Sequence, residues 1–354
     1  MELNTEQTQA FEEINDFLKS SKQIYSLQGL AGVGKTHLAG IIADSQPNAE
    51  LVALTAKAAS VLTLKSSKKG RTIHSLFYKL VDAGFDEIEN KRILKFERNF
   101  FPGSLEGTLV ILDESSMVND QIGNDLRISG AKILACGDPG QLEPITGKQY
   151  FKKANFTLKE IQRQALDSAI IRQSHSVRNT GIYKADGDDF KITSQLTKDD
   201  LIKADMVLCW TNKTRHAYNE VLRELKGFTS PHPQEGENVM CLKNAHHYGI
   251  SNGSIYTLSR PFSPTRKTVY LKIDGNELRI PNCVFLKPGE NIGDYDKEDV
   301  TTFFDYANVA SVHKFQGSEA DNVILIDEYT RLDQRKNWLY TGLTRAKKRI
   351  LIQR

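Results

Sequence analysis

One glycine-rich segment carries the clearest chemistry in the sequence: GLAGVGKT, residues 29–36. Its glycines let backbone N–H groups wrap around phosphates, while Lys35 reaches the β- and γ-phosphates and the Thr36 hydroxyl coordinates Mg²⁺. The apolar run IYSLQ precedes the segment and a helical pattern starts at His37, which supplies the strand and the helix that such a loop needs. The predicted contacts to a nucleoside triphosphate are Gly29, Ala31, Gly32, Val33, Gly34, Lys35, Thr36 and His37.

Two further segments end in side chains that can act on the same phosphates. TLVILDE, residues 108–114, has the pattern of a buried strand; its Asp113 can hold Mg²⁺ and its Glu114 can polarise an attacking water. GDPGQLEPI, residues 137–145, follows another apolar run, so Gln141 is expected beside the nucleotide, where it can sense the γ-phosphate or orient water. The alternative for Gln141 is an ordinary surface turn, since glycine and proline surround it.

Strand and helix patterns alternate in both halves of the sequence, which predicts an α/β fold with open parallel sheets covered on both faces. The texture changes between residues 232 and 303, where short strand patterns separated by Gly, Asn, Pro and Asp predict a small antiparallel, barrel-like insert. Another insert, residues 78–107, is short, charged and aromatic. The length of 354 residues also favours more than one domain.

The bulk composition is that of an ordinary soluble globular protein, with 39% hydrophobic and 26% charged residues. A net charge of +3 is too small to predict nucleic-acid binding, although basic residues cluster between Lys57 and Arg71, either as a solvated loop or as a binding surface. The four cysteines are far apart, which favours buried, reduced thiols over zinc or disulfides. The absence of a targeting signal or a membrane-length apolar run favours a cytoplasmic protein without membrane contact.

Two classes of function are compatible with the phosphate-binding segment. A small-molecule kinase or signalling NTPase needs little beyond the N-terminal half. A motor, in which hydrolysis drives two domains past each other, needs C-terminal groups that touch the same nucleotide, and Arg345 is the candidate. The alternative for Arg345 is one of several exposed cations on a helix, together with Lys347, Lys348 and Arg349.

A set of segments in a defined order resembles the superfamily 1B DNA helicases, the Dda/RecD-like group. The segments are GLAGVGKT, DESSM, GDPGQLEPI, LKEIQRQA, SVHKFQGSEADNVIL and LYTGLTRAKK. The resemblance covers nearly the whole chain, and VHKFQGSE and YTGLTRA are more specific than the phosphate-binding segment. It implies two RecA-like P-loop NTPase domains with ATP and Mg²⁺ between them.

The expected domain boundaries follow from this resemblance and from the two inserts. The first RecA-like domain, which binds ATP, is expected at residues 1–77 and 108–165, and its small insert at 78–107. The second RecA-like domain is expected at residues 166–231 and 304–354, and its small β-barrel-like insert at 232–303.

The resemblance also assigns roles within the first domain. It implies that Gln7 recognises the adenine and that Lys35 binds phosphate. Asp113 and Glu114 match the Mg²⁺ ligand and the catalytic base, and Gln141 matches the γ-phosphate sensor.

Four other residues match family positions that complete the site. Arg163 and Arg345 match two catalytic arginines, with Arg345 as an arginine finger supplied in cis. Gly317 and Glu319 match the part of the second domain that meets the ribose and phosphates.

A track for single-stranded DNA needs cations and hydroxyls along the backbone and apolar faces for bases. TAKAAS and TIHSLF in the first domain, and WTN and VHK in the second, resemble family segments that touch the strand. Either histidine in these segments could instead cap a helix or pack in a core, and Trp210 suits a core as well as a stacking platform. The candidate DNA contacts are Thr55, Lys57, Thr72, His74, Thr211, Asn212, His313 and Lys314.

The wedge that splits a duplex is expected in the first insert. ILKFERNFF, residues 93–101, offers Phe96, Phe100 and Phe101 to cap a terminal base pair, or these rings form the insert's own small core. In the second insert, NAHHYGISNG, residues 244–253, resembles a loop that faces DNA in relatives; its two adjacent histidines have no obvious third ligand for a metal.

The prediction from the sequence is therefore an ATP- and Mg²⁺-dependent translocase and helicase on single-stranded DNA and single/double-strand junctions. The family implies 5′-to-3′ movement, a monomer, and protein partners in replication or recombination. The alternative is a single-stranded-DNA-dependent ATPase that remodels protein–DNA complexes without robust unwinding. A nucleotide kinase would leave VHKFQGSE and Arg345 without a role.

Overall fold

The computed structural model describes residues 3–86, 91–144, 147–161, 167–243, 245, 248, 250, 252–273, 275–287, 290, 292–295 and 300–354, with side chains left out at 56 and 80–97. The chain forms two compact units. Unit 1 comprises Met1–Val81, Phe96–Asp189 and Thr330–Thr344, and unit 2 comprises Asp82–Lys95, Phe190–Tyr329 and Arg345–Arg354. The boundaries inferred from the sequence stay a prediction; they place Thr330–Thr344 in the second domain, whereas this segment belongs to unit 1.

Unit 1 is built on a six-stranded parallel sheet. Its strands are β1 (Ile24–Gly29), β2 (Ala49–Ala53), β3 (Arg71–Thr72), β6 (Leu109–Leu112), β7 (Lys132–Gly137) and β8 (Phe156–Leu158). The spatial order is β3-β2-β6-β7-β1-β8. The helices of this unit are α1 (Thr5–Lys19), α2 (Lys35–Ser45), α3 (Ala56–Lys65), α4 (Ile73–Phe77), α5 (Asp120–Ile128), α6 (Ala169–Thr180) and α9 (Arg335–Leu343).

The central strands of this sheet are buried on both faces. In β6, Leu109 and Ile111 enter one hydrophobic core, while Val110 and Leu112 enter the other. Successive side chains point to opposite faces of a strand, so an apolar residue at every position is what a sheet covered on both sides requires. The carboxyl ends of these strands are thereby held in fixed positions, and the predicted phosphate-binding side chains follow them.

The first insert contains a hairpin of β4 (Tyr78–Asp86) and β5 (Lys91–Arg98). Its base is fastened to α5 of unit 1. Asp125, which is 4% exposed, accepts hydrogen bonds from the Tyr78 hydroxyl at 2.7 Å and from Arg98 Nε at 2.7 Å. The hairpin therefore starts and ends on a buried carboxylate.

Unit 2 contains a second parallel sheet, as the sequence predicted. Its strands are β9 (Phe190–Thr193), β10 (Met206–Cys209), β17 (Val309–Ser311), β18 (Ala320–Ile326) and β19 (Ala346–Gln353), in the order β17-β10-β18-β19-β9. Helices α7 (Lys198–Lys203) and α8 (Asn212–Leu225) belong to this unit. The α/β class with parallel sheets is confirmed.

The second insert forms a six-stranded sheet of its own. Its strands are β11 (Asn238–Cys241), β12 (Ile255–Leu258), β13 (Val269–Ile273), β14 (Asn276–Ile280), β15 (Cys283–Phe285) and β16 (Thr302–Tyr306). Its order is β14-β13-β12-β11-β16-β15, antiparallel except between β15 and β16. The antiparallel character agrees with the prediction, while closure into a barrel stays a prediction.

Two composition-based expectations can be compared with the described residues. Cys136, Cys209, Cys241 and Cys283 are all buried and unbridged, which confirms the prediction of buried thiols. Among the described residues, no helix is long and apolar enough to cross a membrane.

Candidate nucleotide site and nucleic-acid interface

The phosphate-binding segment joins the end of β1 to the start of α2. Gly32 and Gly34 both have φ 84°, a left-handed conformation that glycine adopts without a steric penalty. A Cβ on Gly29 would lie 2.7 Å from Val33 Cγ2, so this position also requires glycine. The loop delivers the chain to the N-terminus of α2, where unpaired backbone N–H groups favour an anion. His37 lies in the first turn of that helix.

Gln7 and Lys35 both bond to this segment. Gln7 is 2% exposed; it completes a capping box at the start of α1 and donates from Nε2 to Val33 O at 3.0 Å. Lys35 Nζ donates to Leu30 O at 2.9 Å and lies 3.9 Å from Asp138 Oδ2. The structure thus brings Gln7 against the loop, and adenine recognition by Gln7 stays a proposal.

The two predicted Mg²⁺ ligands lie together. Thr36 Oγ1 donates to Asp113 Oδ2 at 3.0 Å, and Glu114 N donates to Asp113 Oδ1 at 3.0 Å. Burial raises the pKa of Asp113, while the hydrogen bonds from Glu114 N and Thr36 and the charge of Lys35 act in the opposite direction. A hydroxyl and a buried carboxylate are hard oxygen ligands, so these residues fit a divalent cation such as Mg²⁺.

Glu114 has an unusual backbone conformation. Its φ of 54° and ψ of 39° are left-handed, which few residues other than glycine adopt. Such strain at a non-glycine residue is concentrated at functional sites, where the surrounding structure enforces it. This conformation supports a special role for Glu114, which the sequence alone could not reveal.

Gln141 follows the end of β7 and is 7% exposed. Its side-chain oxygen Oε1 is buried and has no hydrogen-bond partner within the described part of the chain. A buried acceptor without a partner costs stability unless function uses it. The surface-turn alternative is therefore disfavoured for Gln141.

The second-half candidates come together in unit 2. Arg345 is 4% exposed, and its Nη1 donates to Ser318 O at 3.3 Å, between Gly317 and Glu319 in the chain. Lys347, Lys348 and Arg349 are exposed, and they lie on β19 rather than on a helix. The alternative of Arg345 as one more exposed helical cation is wrong, because α9 ends at Leu343 and the Arg345 side chain is buried. Arg163 lies outside the described residues.

Three threonines predicted to touch DNA all cap helices. Thr55 accepts from Ala58 N at 3.2 Å at the start of α3, and Thr211 accepts from Thr214 N at 3.1 Å at the start of α8. Thr72 does the same for the short helix α4. Capping hydroxyls are satisfied within the protein, so any strand contact at these places would come largely from backbone N–H groups and neighbouring side chains.

The remaining DNA candidates lie near these helix starts. Lys57 is exposed in the first turn of α3, and Asn212 Oδ1 accepts from Arg215 Nε at 3.3 Å. Lys314 is exposed and His313 half-buried. The His74 ring lies 5.4 Å from the Tyr78 ring. The structure shows no strand on these residues, so their role as a track stays a proposal.

The basic cluster between Lys57 and Arg71 is only partly available. Lys68 Nζ donates to Pro47 O at 2.7 Å and to Ala49 O at 3.2 Å, and Arg71 pairs with Glu50 at 3.5 Å. Both therefore fasten the loop. Lys65 and Lys69 are exposed.

Trp210 and Thr211 depend on a residue that the sequence analysis missed. Glu328 accepts hydrogen bonds from both of their backbone N–H groups at 2.8 Å, and the Trp210 ring packs 4.6 Å from that of Tyr329. The acidic end of DNVILIDE was the available signal, since the same pattern had been used for Asp113.

The candidate wedge rings differ in burial. Phe100 packs edge-on against Phe77 at 5.6 Å and belongs to the periphery of a core, whereas Phe101 is 82% exposed. The Phe96 side chain lies outside the described residues. Phe100 therefore follows the packing alternative, and Phe101 keeps the wedge hypothesis. In the predicted DNA-facing loop, 244, 246, 247, 249 and 251 lie outside the described residues, including His246 and His247.

Family models match most of the chain. A model described as an AAA domain matches residues 2–198, more than half of the sequence. The chain belongs to this family. A model of the UvrD-like helicase C-terminal domain matches residues 306–352. With both matches in one chain, the protein is a superfamily 1B helicase, as the motifs indicated.

Solved structures share the fold of this helicase over its full length. Pif1 from Bacteroides bound to single-stranded DNA is 18% identical, with all of this chain and 92% of that chain aligned at a TM-score of 0.63. Bacteroides Pif1 with ADP-AlF3 and single-stranded DNA is 19% identical, covering 100% and 93%, at 0.62. Pif1 from Candida albicans is 18% identical, covering 100% and 94%, at 0.55. At such identity the likeness establishes the fold.

Proposed function

We propose that the protein couples ATP hydrolysis to 5′-to-3′ movement on single-stranded DNA and to duplex unwinding. The observation that carries the proposal is the interlocked set of Thr36, Asp113 and Lys35 at the end of the first parallel sheet. Two of the Pif1 structures with this fold are complexes with single-stranded DNA. The predicted strand-contacting residues of this chain lie at helix starts in both units.

Each side chain of the site has a distinct role in hydrolysis. Lys35 exchanges its contacts with Leu30 O and Asp138 for phosphate oxygens. Mg²⁺, held by Thr36 and Asp113, supplies positive charge to those oxygens. Glu114 polarises the attacking water, and Gln141 accepts a hydrogen bond from that water through its unpartnered Oε1.

The second unit supplies the remaining groups under this proposal. Arg345 acts as an arginine finger, for which a planar guanidinium is suited because it pairs phosphate oxygens bidentately. Gly317 and Glu319 meet the ribose and phosphates, and Gln7 reads the adenine. The protein is further proposed to work as a cytoplasmic monomer with replication or recombination partners.

Strand displacement with tailed duplexes tests the direction and the function together. The substrates are one duplex with a 5′ single-stranded tail and the same duplex with a 3′ tail, each with ATP and Mg²⁺. We expect separation of the 5′-tailed duplex only, and none by Lys35→Ala. Separation of only the 3′-tailed duplex would overturn the direction. ATP-dependent displacement of a protein block without strand separation would favour the remodelling alternative.

A further inference from the structure

Helix α9 holds the segment that carries Gln141 at three points. Asn337 Nδ2 donates to Gln141 O at 2.8 Å, and Leu142 N donates to Thr341 Oγ1 at 3.0 Å. The Tyr340 hydroxyl donates to Asp138 Oδ2 at 2.6 Å. Each contact joins residues about two hundred positions apart in the chain, so the grip is made by the fold and not by local sequence.

Tyr340 also reaches the phosphate-binding segment. Its side chain is fully buried, and its hydroxyl oxygen accepts a hydrogen bond from Ala31 N at 2.7 Å. On the other side of Ala31, His175 Nε2 of helix α6 lies 3.2 Å from Ala31 O. A single hydroxyl thus bonds at once to the phosphate-binding loop and to the turn before Gln141.

The position of the Tyr340 ring explains one glycine. A Cβ on Gly140 would lie 2.8 Å from Tyr340 Cε1 and 2.9 Å from Arg178 Cδ, closer than side chains approach. The ring therefore lies directly on the backbone of the turn. Movement of this ring would be transmitted to Asp138 and Gln141, since packed groups shift together.

Asp138 links Tyr340 to Lys35. Asp138 Oδ1 accepts from Gly140 N at 2.8 Å, and the oxygen that accepts from Tyr340 lies 3.9 Å from Lys35 Nζ. When Lys35 turns to a phosphate, the buried Asp138 carboxylate loses a cation and keeps the hydroxyl and amide donors. Without the hydroxyl, Asp138 would retain one donor and compete more strongly for Lys35, because a buried charge needs partners.

We propose that Tyr340 is a positioning residue for ATP hydrolysis: its hydroxyl fixes Ala31 of the phosphate-binding loop and Asp138 of the Gln141 turn relative to helix α9. The chain continues from this helix through Thr344 to Arg345, so the same helix also leads to the predicted arginine finger. This role rests on the proposed ATPase function. Tyr340 acts through Ala31, Asp138 and Lys35, not by contact with the nucleotide.

Tyr340→Phe tests the role because it keeps the ring against Gly140 and removes only the hydroxyl. Tyr25→Phe is the matched control: Tyr25 is 6% exposed, lies in unit 1, and its hydroxyl also donates to a carboxylate, Glu13 Oε2, at 3.0 Å. For both full-length variants, kcat and KM for ATP are measured with saturating single-stranded DNA and Mg²⁺, together with the melting temperature.

We expect Tyr340→Phe to lower kcat by about tenfold to a hundredfold, the range caused by misplacing a catalytic group by about 1 Å. The KM for ATP should stay within about threefold, since transition-state positioning is lost and ground-state contacts remain. The melting temperature should match that of Tyr25→Phe, which should keep the wild-type kcat. A wild-type kcat in Tyr340→Phe, or an equal fall in both variants, would overturn the role. So would a raised KM with an unchanged kcat. Wild-type protein without any ATPase activity would instead refute the proposed function.

Discussion

The nucleotide region of unit 1 and the predicted DNA-binding residues use their polar side chains in different ways. In the nucleotide region, Thr36 bonds to Asp113, and Lys35 lies between Leu30 O and Asp138. In the predicted DNA track, each threonine bonds to the start of its own helix, and cations such as Lys57 are exposed. An interlocked site should fail when one member is removed, whereas a distributed track should weaken in steps that salt can screen.

The largest effect is expected from Lys35→Ala. Hydrolysis should fall to background, because no other described cation lies beside Asp138 to take the phosphate. Single-stranded DNA affinity should stay near that of the wild type, since the track is separate from the phosphate loop. Phosphate-release assays and fluorescence anisotropy with a labelled oligonucleotide measure the two properties. Lys22→Ala, an exposed cation of unit 1, is the control, and retained DNA-stimulated turnover in Lys35→Ala would refute the site.

Arg345→Lys should have the next largest effect. It keeps a positive charge but loses the planar fork, so kcat should fall by about 10³ while ATP binding persists. Arg349→Ala on β19 serves as the exposed control. Because Arg345 is 4% exposed, circular dichroism must accompany the kinetics. Joint loss of the fold and of ATP binding would show that Arg345 is structural.

Phe101→Ala should lower the unwinding rate by about tenfold, which corresponds to one lost stacking contact of about 1.4 kcal/mol. Translocation, followed by stopped-flow release from the strand end, should be unaffected. Its neighbour offers a sharp contrast: Phe100→Ala should lower the free energy of unfolding by about 1–2 kcal/mol because Phe100 packs on Phe77. Equal loss of unwinding and translocation in Phe101→Ala would contradict the wedge.

Lys57→Ala should show the smallest effect. The affinity for single-stranded DNA should fall by about threefold, and the slope of log K against log salt should decrease by about 0.7, the value for one phosphate contact. The kcat at saturating DNA should not change. Lys19→Ala, at the end of α1, is the control. A salt slope equal to that of the wild type would remove Lys57 from the track and weaken the contrast between the two regions.

Features that depend on local sequence were predictable. The run around Ile111 is apolar at every position because both faces of its strand are buried, and the glycines of the phosphate loop are needed for its backbone angles. Asp113 and Thr36 were paired correctly because strand ends of one parallel sheet converge.

Features that depend on distant contacts were not predictable in the same way. Tyr340 lies in a recognised segment, yet its role became visible only through its bonds to Ala31 and Asp138. Phe100 and Phe101 are chemically identical neighbours, and only the fold decides that one packs and the other is exposed. The helix expected to carry Arg345 ends before it, because β19 starts at Ala346 and draws the chain into the sheet.

The most direct measurement is the Mg²⁺-dependent ATPase rate with and without single-stranded oligonucleotide, at low and moderate salt, for the wild type and for Lys35→Ala. The account predicts strong stimulation of the wild type by the oligonucleotide, loss of that stimulation as salt rises, and no activity in the variant. Wild-type hydrolysis that is robust but indifferent to DNA would contradict the coupling of the nucleotide site to a DNA strand.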